Sequence, residues 1–198
     1  FHMWNDILMT VGEATPDPKA LARLIGVRVR RLRRQRGWSL SSLAVRAGLG
    51  KATLSEIESG QRNPTLETLY AIAAQLQIGL SELLTEATSP LPAAPVVRGT
   101  AVEATLVAVY QDPTVTTEIY RLQIRPGHAQ ISPGHGPGVI EHLFMTAGTV
   151  RVGPLGRPVE ISAGADWSWE SSSSHSYTAI GDRAAEAVLV IRHPVKPA

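Results

Sequence analysis

The stretch Ser39–Asn63, SLSSLAVRAGLGKATLSEIESGQRN, decides how the N-terminal part of this chain folds. Its apolar positions Leu43, Ala47, Leu49, Leu54 and Ile57 have the spacing of two short helices that share one core. Ala44 falls where the first helix must let the second approach closely, and a larger side chain would wedge them apart. Gly48 falls at the turn, where a positive φ costs glycine little. Ser39 suits the N-cap of the first helix, although Ser42 is not the Glu or Gln of a full capping box.

Working outward, the periodicity predicts a preceding helix from Lys19 to Arg36. Leu21, Leu24, Ile25, Val29 and Leu32 face inward, the arginines outward, and Gly37 ends it. The helix after the turn runs from Lys51 to Ser59 and stops at Gly60. Thr65 caps a fourth helix with the stripe Leu66, Leu69, Ile72, Ala73 and Leu76, and Ser81–Leu84 makes a short fifth. Net charge is only +2, but residues 23–62 hold ten Arg and Lys against Glu56 and Glu58, while the remainder is net acidic. That asymmetry points to a polyanionic partner for this part, with phosphate contact from at least one arginine of the first helix.

With Glu58-Ser59-Gly60 and Asn63-Pro64-Thr65, the stretch resembles the helix-turn-helix of the Cro/CI-like (XRE) regulators, from about Leu21 to Leu84. The resemblance implies double-stranded DNA as partner, bound through Ser39, Lys51, Ala52, Thr53, Ser55, Glu56, Ser59, Gln61, Arg62 and Asn63. Of these, Lys51, Ala52, Ser55 and Glu56 would read bases, whereas Gln61, Arg62 and Asn63 would hold the backbone. Leu40 stands where some relatives have Gln. One such module reads too few base pairs for a unique site, so a homodimer on a palindromic operator is expected.

The rest of the chain reads differently. Phe1-His2-Met3 reads as an expression-tag remnant and residues 1–18 as an arm. Residues 19–84 form the all-α domain of five helices, and the proline-rich stretch 85–100 is a semi-rigid linker. From Ala101 the period becomes two, with runs at Ala104–Tyr110, Thr117–Ile124, Ile140–Met145, Thr149–Val152 and Ala187–Ile191 bounded by Gly and Pro. These predict an all-β sandwich or barrel. The sequence contains no cysteine and no apolar run long enough to span a membrane, so a cytoplasmic protein without disulfides is expected.

His135, Glu141 and Gly148, followed by Gly164 and His175, resemble the two motifs of a cupin barrel over roughly residues 96–193; the barrel itself is assigned to 101–193. In that family two His, a Glu and a third His bind a metal inside the double-stranded β-helix. Here Pro137 occupies the second His position, Glu170 and Ser172 replace a Pro and a Gly, and Ala179 replaces an Asn. The expectation is therefore no cofactor, with a divalent metal on His135, Glu141 and His175 as the alternative. His142 should point away from Glu141, its strand neighbour, and His128 and His193 are expected at the surface. An effector site is expected from His135, Glu141, Trp167, Trp169, His175 and Tyr177. The combined resemblance implies a ligand-responsive, non-enzymatic transcriptional regulator, a repressor, with the barrel as small-molecule sensor and dimer contact. The alternatives are a metal-dependent cupin enzyme with autoregulatory DNA binding, and a constitutive DNA binder whose barrel serves only for dimerisation.

Overall fold

The computed structural model describes residues 18–84 and 95–195. The expected N-terminal arm and residues 85–94 of the expected linker lie outside these, whereas the end of that linker, 85–100, is not a spacer: Val96–Arg98 forms a strand paired to the β-domain. Five helices come first: α1 (Pro18–Gln35), α2 (Leu40–Arg46), α3 (Lys51–Glu58), α4 (Leu66–Leu76) and α5 (Leu80–Leu84). Ser39 caps α2 by accepting from Ser42 N, and Thr65 caps α4 by accepting from Thr68 N. Gly37, Gly48 and Gly60 all carry positive φ at the helix ends, the backbone state glycine occupies without a Cβ penalty.

The helices close around Ile25, Val29, Leu43, Leu54, Ile57, Leu69, Ile72 and Leu76. Gly26 of α1 lies so close to α3 that a Cβ there would sit 2.3 Å from the Ile57 carbonyl oxygen. Next to this contact, Arg33 donates through Nε and Nη2 to both Glu58 oxygens, at 2.6 and 2.8 Å, and through Nη1 to Trp38 O. The Glu58 hydrogen bond raises the Arg33 pKa further, against burial that works to lower it.

Two arginines expected to face outward are thus committed internally. Arg33 and Arg28 are buried, and Arg28 donates to Glu82 O of α5. A long side chain that finds a fixed acceptor can be buried at helix spacing that reads as surface. Arg23, Arg30, Arg31 and Arg34 stay exposed.

Ten strands follow: β1 (Val96–Arg98), β2 (Val102–Gln111), β3 (Val115–Ile124), β4 (Ala129–Ser132), β5 (Ile140–Ala147), β6 (Thr149–Pro154), β7 (Val159–Ser162), β8 (Asp166–Glu170), β9 (His175–Ile180) and β10 (Ala185–Pro194). They form two antiparallel sheets, ordered β1-β2-β3-β10-β5-β8 and β4-β9-β6-β7. Neighbours far apart in sequence, such as β3, β10 and β5, make this the jelly-roll arrangement of a cupin barrel. Alternate residues Tyr120, Leu122, Ile124, Leu143, Met145, Leu189 and Ile191 fill the space between the sheets. The five runs read from the sequence all lie in strands. The other strands are short, and β7 and β8 are mostly exposed, so alternation does not mark them.

Removing one member of a buried, bidentate ion pair leaves the other charge without a partner, at a cost of ~3 kcal/mol or more. Glu58→Ala is therefore expected to lower stability by about 3 kcal/mol, read as a reduced urea midpoint at unchanged slope.

Candidate functional site

Two sites emerge, one on the surface and one buried. On the helical domain, Lys51, Ala52 and Ser55 are exposed along α3, while Thr53 and Glu56 are half-buried. Gln61, Arg62 and Asn63 form an exposed cluster just beyond the helix, and Ser59 Oγ donates to Glu56 O. Arg62 Nη1 lies 3.1 Å from Glu56 Oε2, so a carboxylate expected to read bases is paired with an arginine expected to hold the backbone. Ser39 uses its hydroxyl to cap α2.

The buried site lies in the β-domain. Glu141 projects inward from β5 in one sheet, and His175 and Tyr177 from β9 in the other. His135 comes from the loop between β4 and β5. That loop is held by His135 N donating to Ser171 O, Ser171 N to Val139 O and Gly138 N to Glu170 Oε1. Gly134 lets it pass: a Cβ there would meet Ser172 O at 2.4 Å. Glu170, one of the departures from the cupin motif, thus anchors the loop that carries His135.

Glu141 Oε1 lies 2.8 Å from His135 Nε2 and 3.1 Å from His175 Nε2. Neither contact is aligned as a hydrogen bond, so Glu141 Oε1 and His175 Nε2 are buried polar atoms without a hydrogen-bond partner. The other carboxylate oxygen accepts from Tyr177 OH. On the far side of its ring, His175 Nδ1 is 3.1 Å from Ser173 O, which orients the ring with Nε2 inward. Trp169 stacks on Trp167 at 5.2 Å between ring centroids and lies 6.0 Å from both His175 and Tyr177. The six residues expected to form the effector site are therefore neighbours. Of them, only His135 borders a cleft of about 430 Å³ between the two domains, which Arg36, Gln77, Glu82, Pro137 and His193 also line.

Electrostatically, burial would raise the Glu141 pKa, but the imidazoles facing it, His175 first, outweigh that and hold it far below the ordinary carboxylate range. Burial would lower the His175 pKa, and the Glu141 charge instead raises it. Tyr177 is pushed well above the usual phenol value by burial and by Glu141.

The family implies a divalent metal here, and the residues fit one. Their ligand atoms lie within 4.8 Å of one another, and the two orphaned atoms are both donors of that set. Two His and one carboxylate make a facial triad, with Tyr177 and Ser173 orienting the outer atoms. A bound ion would supply a Lewis-acidic point for an oxygen- or nitrogen-bearing ligand.

The sequence reading missed the residues that join the domains. Tyr70 of α4 packs on the His135 ring, 4.3 Å between centroids. Glu118 of β3 has no exposed surface; it accepts from Ser81 N of α5 at 2.9 Å and from Tyr120 OH at 2.8 Å. His193, expected at the surface, lies 3.3 Å from the same carboxylate and is mostly buried. Thr100 donates through N and Oγ1 to Glu67 at the start of α4. Burial would raise the Glu67 pKa, but the Thr100 and Thr65 hydrogen bonds bring it down to about 2. One signal was legible: Glu118 shares strand parity with Tyr120, Leu122 and Ile124, so a charge stands in a buried row. His142 does point outward, stacked on Phe144 and 2.7 Å from Asp166.

Comparison with known proteins finds relatives of the helical part and of nearly the whole chain. The helix-turn-helix family model HTH_3 matches residues 29–83. The HTH-type transcriptional regulator SutR of Escherichia coli (strain K12) is 30% identical over 174 residues, 88% of this chain and 97% of that protein. The HTH-type transcriptional regulator SinR of Bacillus subtilis (strain 168) is 41% identical over 64 residues, 32% of this chain and 58% of its own. The crystal structure of an HTH_3 family transcriptional regulator from Vibrio cholerae superposes with a TM-score of 0.73 at 25% identity, covering 92% of this chain and 100% of that one. No helix of the described residues is long and apolar enough to cross a membrane.

The shifted groups give opposite pH signs. Glu141, depressed, contributes stability above its ordinary value of 4.5, lost as pH falls through the folded value. His175, raised, contributes below its ordinary 6.5, lost as pH rises through the folded value. The melting-temperature difference between the native chain and Glu141→Gln should be widest between about 4.5 and 6.5, and narrower at both pH 3 and pH 8.5. Calorimetry across that range checks it.

Proposed function

This chain belongs to the helix-turn-helix (XRE-type) transcriptional regulators, and from that premise we propose that it is a homodimeric, ligand-responsive repressor in the cytoplasm. The α3 surface reads an operator and the cupin barrel senses a small molecule. The single observation that carries the sensor reading is the buried constellation of His135, Glu141 and His175 with two unpartnered polar atoms. A buried polar atom without a hydrogen bond costs about 1–3 kcal/mol; charge attraction at 2.8 and 3.1 Å offsets part of that here, and an occupant that bonds these atoms removes the rest. His135, Glu141 and His175 serve as the polar anchors of the effector. Trp167, Trp169 and Tyr177 give an aromatic wall, and the 430 Å³ cleft gives a route to His135. Sensing rather than catalysis is supported by the packing of Tyr70, a residue of the DNA-binding domain, against one of these anchors.

A divalent cation is the second occupant that the geometry favours, because the orphaned atoms are both metal-donor atoms. Elemental analysis of the chain purified without chelator separates the two. Direct anchoring predicts less than about a tenth of an equivalent of any divalent metal, with effector response lost in Glu141→Gln; one equivalent, lost in His135→Ala, overturns it in favour of a cation.

Dimer formation is supported by the outer face of the larger sheet. There Ile119, Val188, Val190, Ile140 and Phe144 lie side by side across β3, β10 and β5, all at least partly exposed. Two copies would place two recognition helices on half-sites about 34–36 Å apart, or a multiple.

Selection from a random duplex pool by the full chain tests the operator reading. The expected product is a palindrome with that spacing. Lys51→Ala or Ser55→Ala should change preference at individual base pairs, by ~1–3 kcal/mol for a lost bidentate contact. Arg62→Ala should weaken all sequences alike and reduce the salt slope by about 1. Equal, uniform losses in the Lys51 and Arg62 variants would remove this division of roles.

A further inference from the structure

The β-domain does not build the wall of the buried site beside His135 by itself. Tyr70, from α4 of the helical domain, lies against the His135 ring at 4.3 Å with the planes tilted by 40°. His135 in turn lies edge-on to His175, centroids 5.0 Å apart. Tyr70 is buried, and its hydroxyl is pushed well above the usual phenol value by burial and by the Glu141 and Glu118 charges. A side chain of the DNA-binding domain thus feels the charge of the candidate effector site.

Three further features bear on what this contact does. Tyr70 belongs to a second stripe of α4. Glu67 meets Thr100, Tyr70 meets His135, and Ala74 and Gln77 border the cleft. The opposite stripe, Leu66, Leu69, Ile72, Ala73 and Leu76, lies in the core shared with α1, α2 and α3. Movement of α4 therefore carries α3 with it, because a close-packed core transmits displacement. Of the three anchors, His135 alone sits on a loop rather than a strand, flanked by Gly134, Gly136 and Gly138, the last two with positive φ. Its backbone is held at His135 N and Gly138 N, so what can change at this anchor is the ring orientation, which no strand pairing fixes. Beyond α4, Gly79 passes Glu118 so closely that a Cβ would come within 2.2 Å of Oε1, and Ser81 N donates to that oxygen. Glu118 fixes the far end of the stretch while Tyr70 meets the movable ring.

We propose that Tyr70 is a positioning residue of the effector site contributed by the DNA-binding domain, and that its packing on His135 transmits the state of that site to the recognition helix. The proposal rests on the reading of His135, Glu141 and His175 as the effector anchors. An occupant that takes His135 Nε2 away from Glu141 Oε1, 2.8 Å from it here, turns the ring on which Tyr70 rests. The free-energy difference between the two ring positions then biases the placement of the helical domain.

The test is a double-mutant cycle on the full chain, needing no identified ligand. His135→Gln, Tyr70→Leu and the double variant are compared by amide hydrogen exchange over residues 66–84. Their affinities for a duplex selected by the native chain are measured in parallel. Each single change should raise exchange in 66–84 about fivefold or more and shift duplex affinity by a similar factor. The double variant should match the singles rather than multiply them. Tyr70→Phe, which keeps the ring, should restore the response to His135→Gln that Tyr70→Leu loses. Multiplicative effects overturn the proposal. So does His135→Gln leaving exchange in 66–84 unchanged, a result that decides the matter even where Tyr70→Leu does not fold. Should the native chain select no duplex, the operator reading fails, while the exchange cycle still decides the role of Tyr70.

Discussion

Two carboxylates without any exposed surface, Glu118 and Glu141, set the terms for the rest of this structure. A charge removed from water must be met by donors or opposite charge, or it will not remain ionised. Glu141 is met within the barrel by Tyr177 and two imidazoles. Glu118 is met by Tyr120 and His193 from its own sheet and by the Ser81 backbone N–H from the helical domain. Its pKa stays below the ordinary value because these partners outweigh burial. Pulling the domains apart would remove one of those donors, so desolvation of Glu118 favours one arrangement of the two halves.

Inside the helical domain a similar constraint orients α3. Glu58, the first residue of the Glu-Ser-Gly motif, is held on both oxygens by Arg33, and Gly26 lets the helices touch. Gly60 completes the fit, since a Cβ there would press on the Arg23 backbone at 2.9 Å. The motif is thus an orientation device. Its charge faces inward to α1, while Lys51, Ala52 and Ser55 on the same helix stay free toward solvent.

How far the sequence carried follows from where each signal lies. The helices were legible because their caps, glycine stops and apolar stripes are local, and Ser39, Thr65 and Gly60 act within a turn of their own positions. The long strands were legible by alternation. β4, β7, β8 and β9 were not, being four to six residues long, and β7 and β8 each bury only one residue. The members of the buried constellation were named by motif spacing, since His135, Glu141 and His175 keep their places across the loops. What stayed hidden was every contact between the domains. Tyr70 lies beside the stripe that defines the core of α4, and nothing local says that a second stripe meets another domain. Arg28 and Arg33 read as surface because their acceptors, a carbonyl on α5 and a carboxylate on α3, lie 54 and 25 residues away.

The departures from the cupin ligand set acquire a meaning once the domains are seen together. Pro137, where the family has its second His, lines the interdomain cleft and has no ligand atom to offer. Glu170, in place of the usual proline, accepts from Gly138 N and ties down the loop that carries His135. A four-ligand site would fix all its donors around one ion. A three-donor site with one donor on a glycine-flanked loop leaves that donor able to answer what occupies the centre. The same imidazole supports a tyrosine of the helical domain, two residues before the missing ligand at Pro137. On the proposed sensor reading, signalling requires no long pathway through the barrel. It requires that the occupant favour one His135 position over the other, and the operator equilibrium can shift by that difference alone.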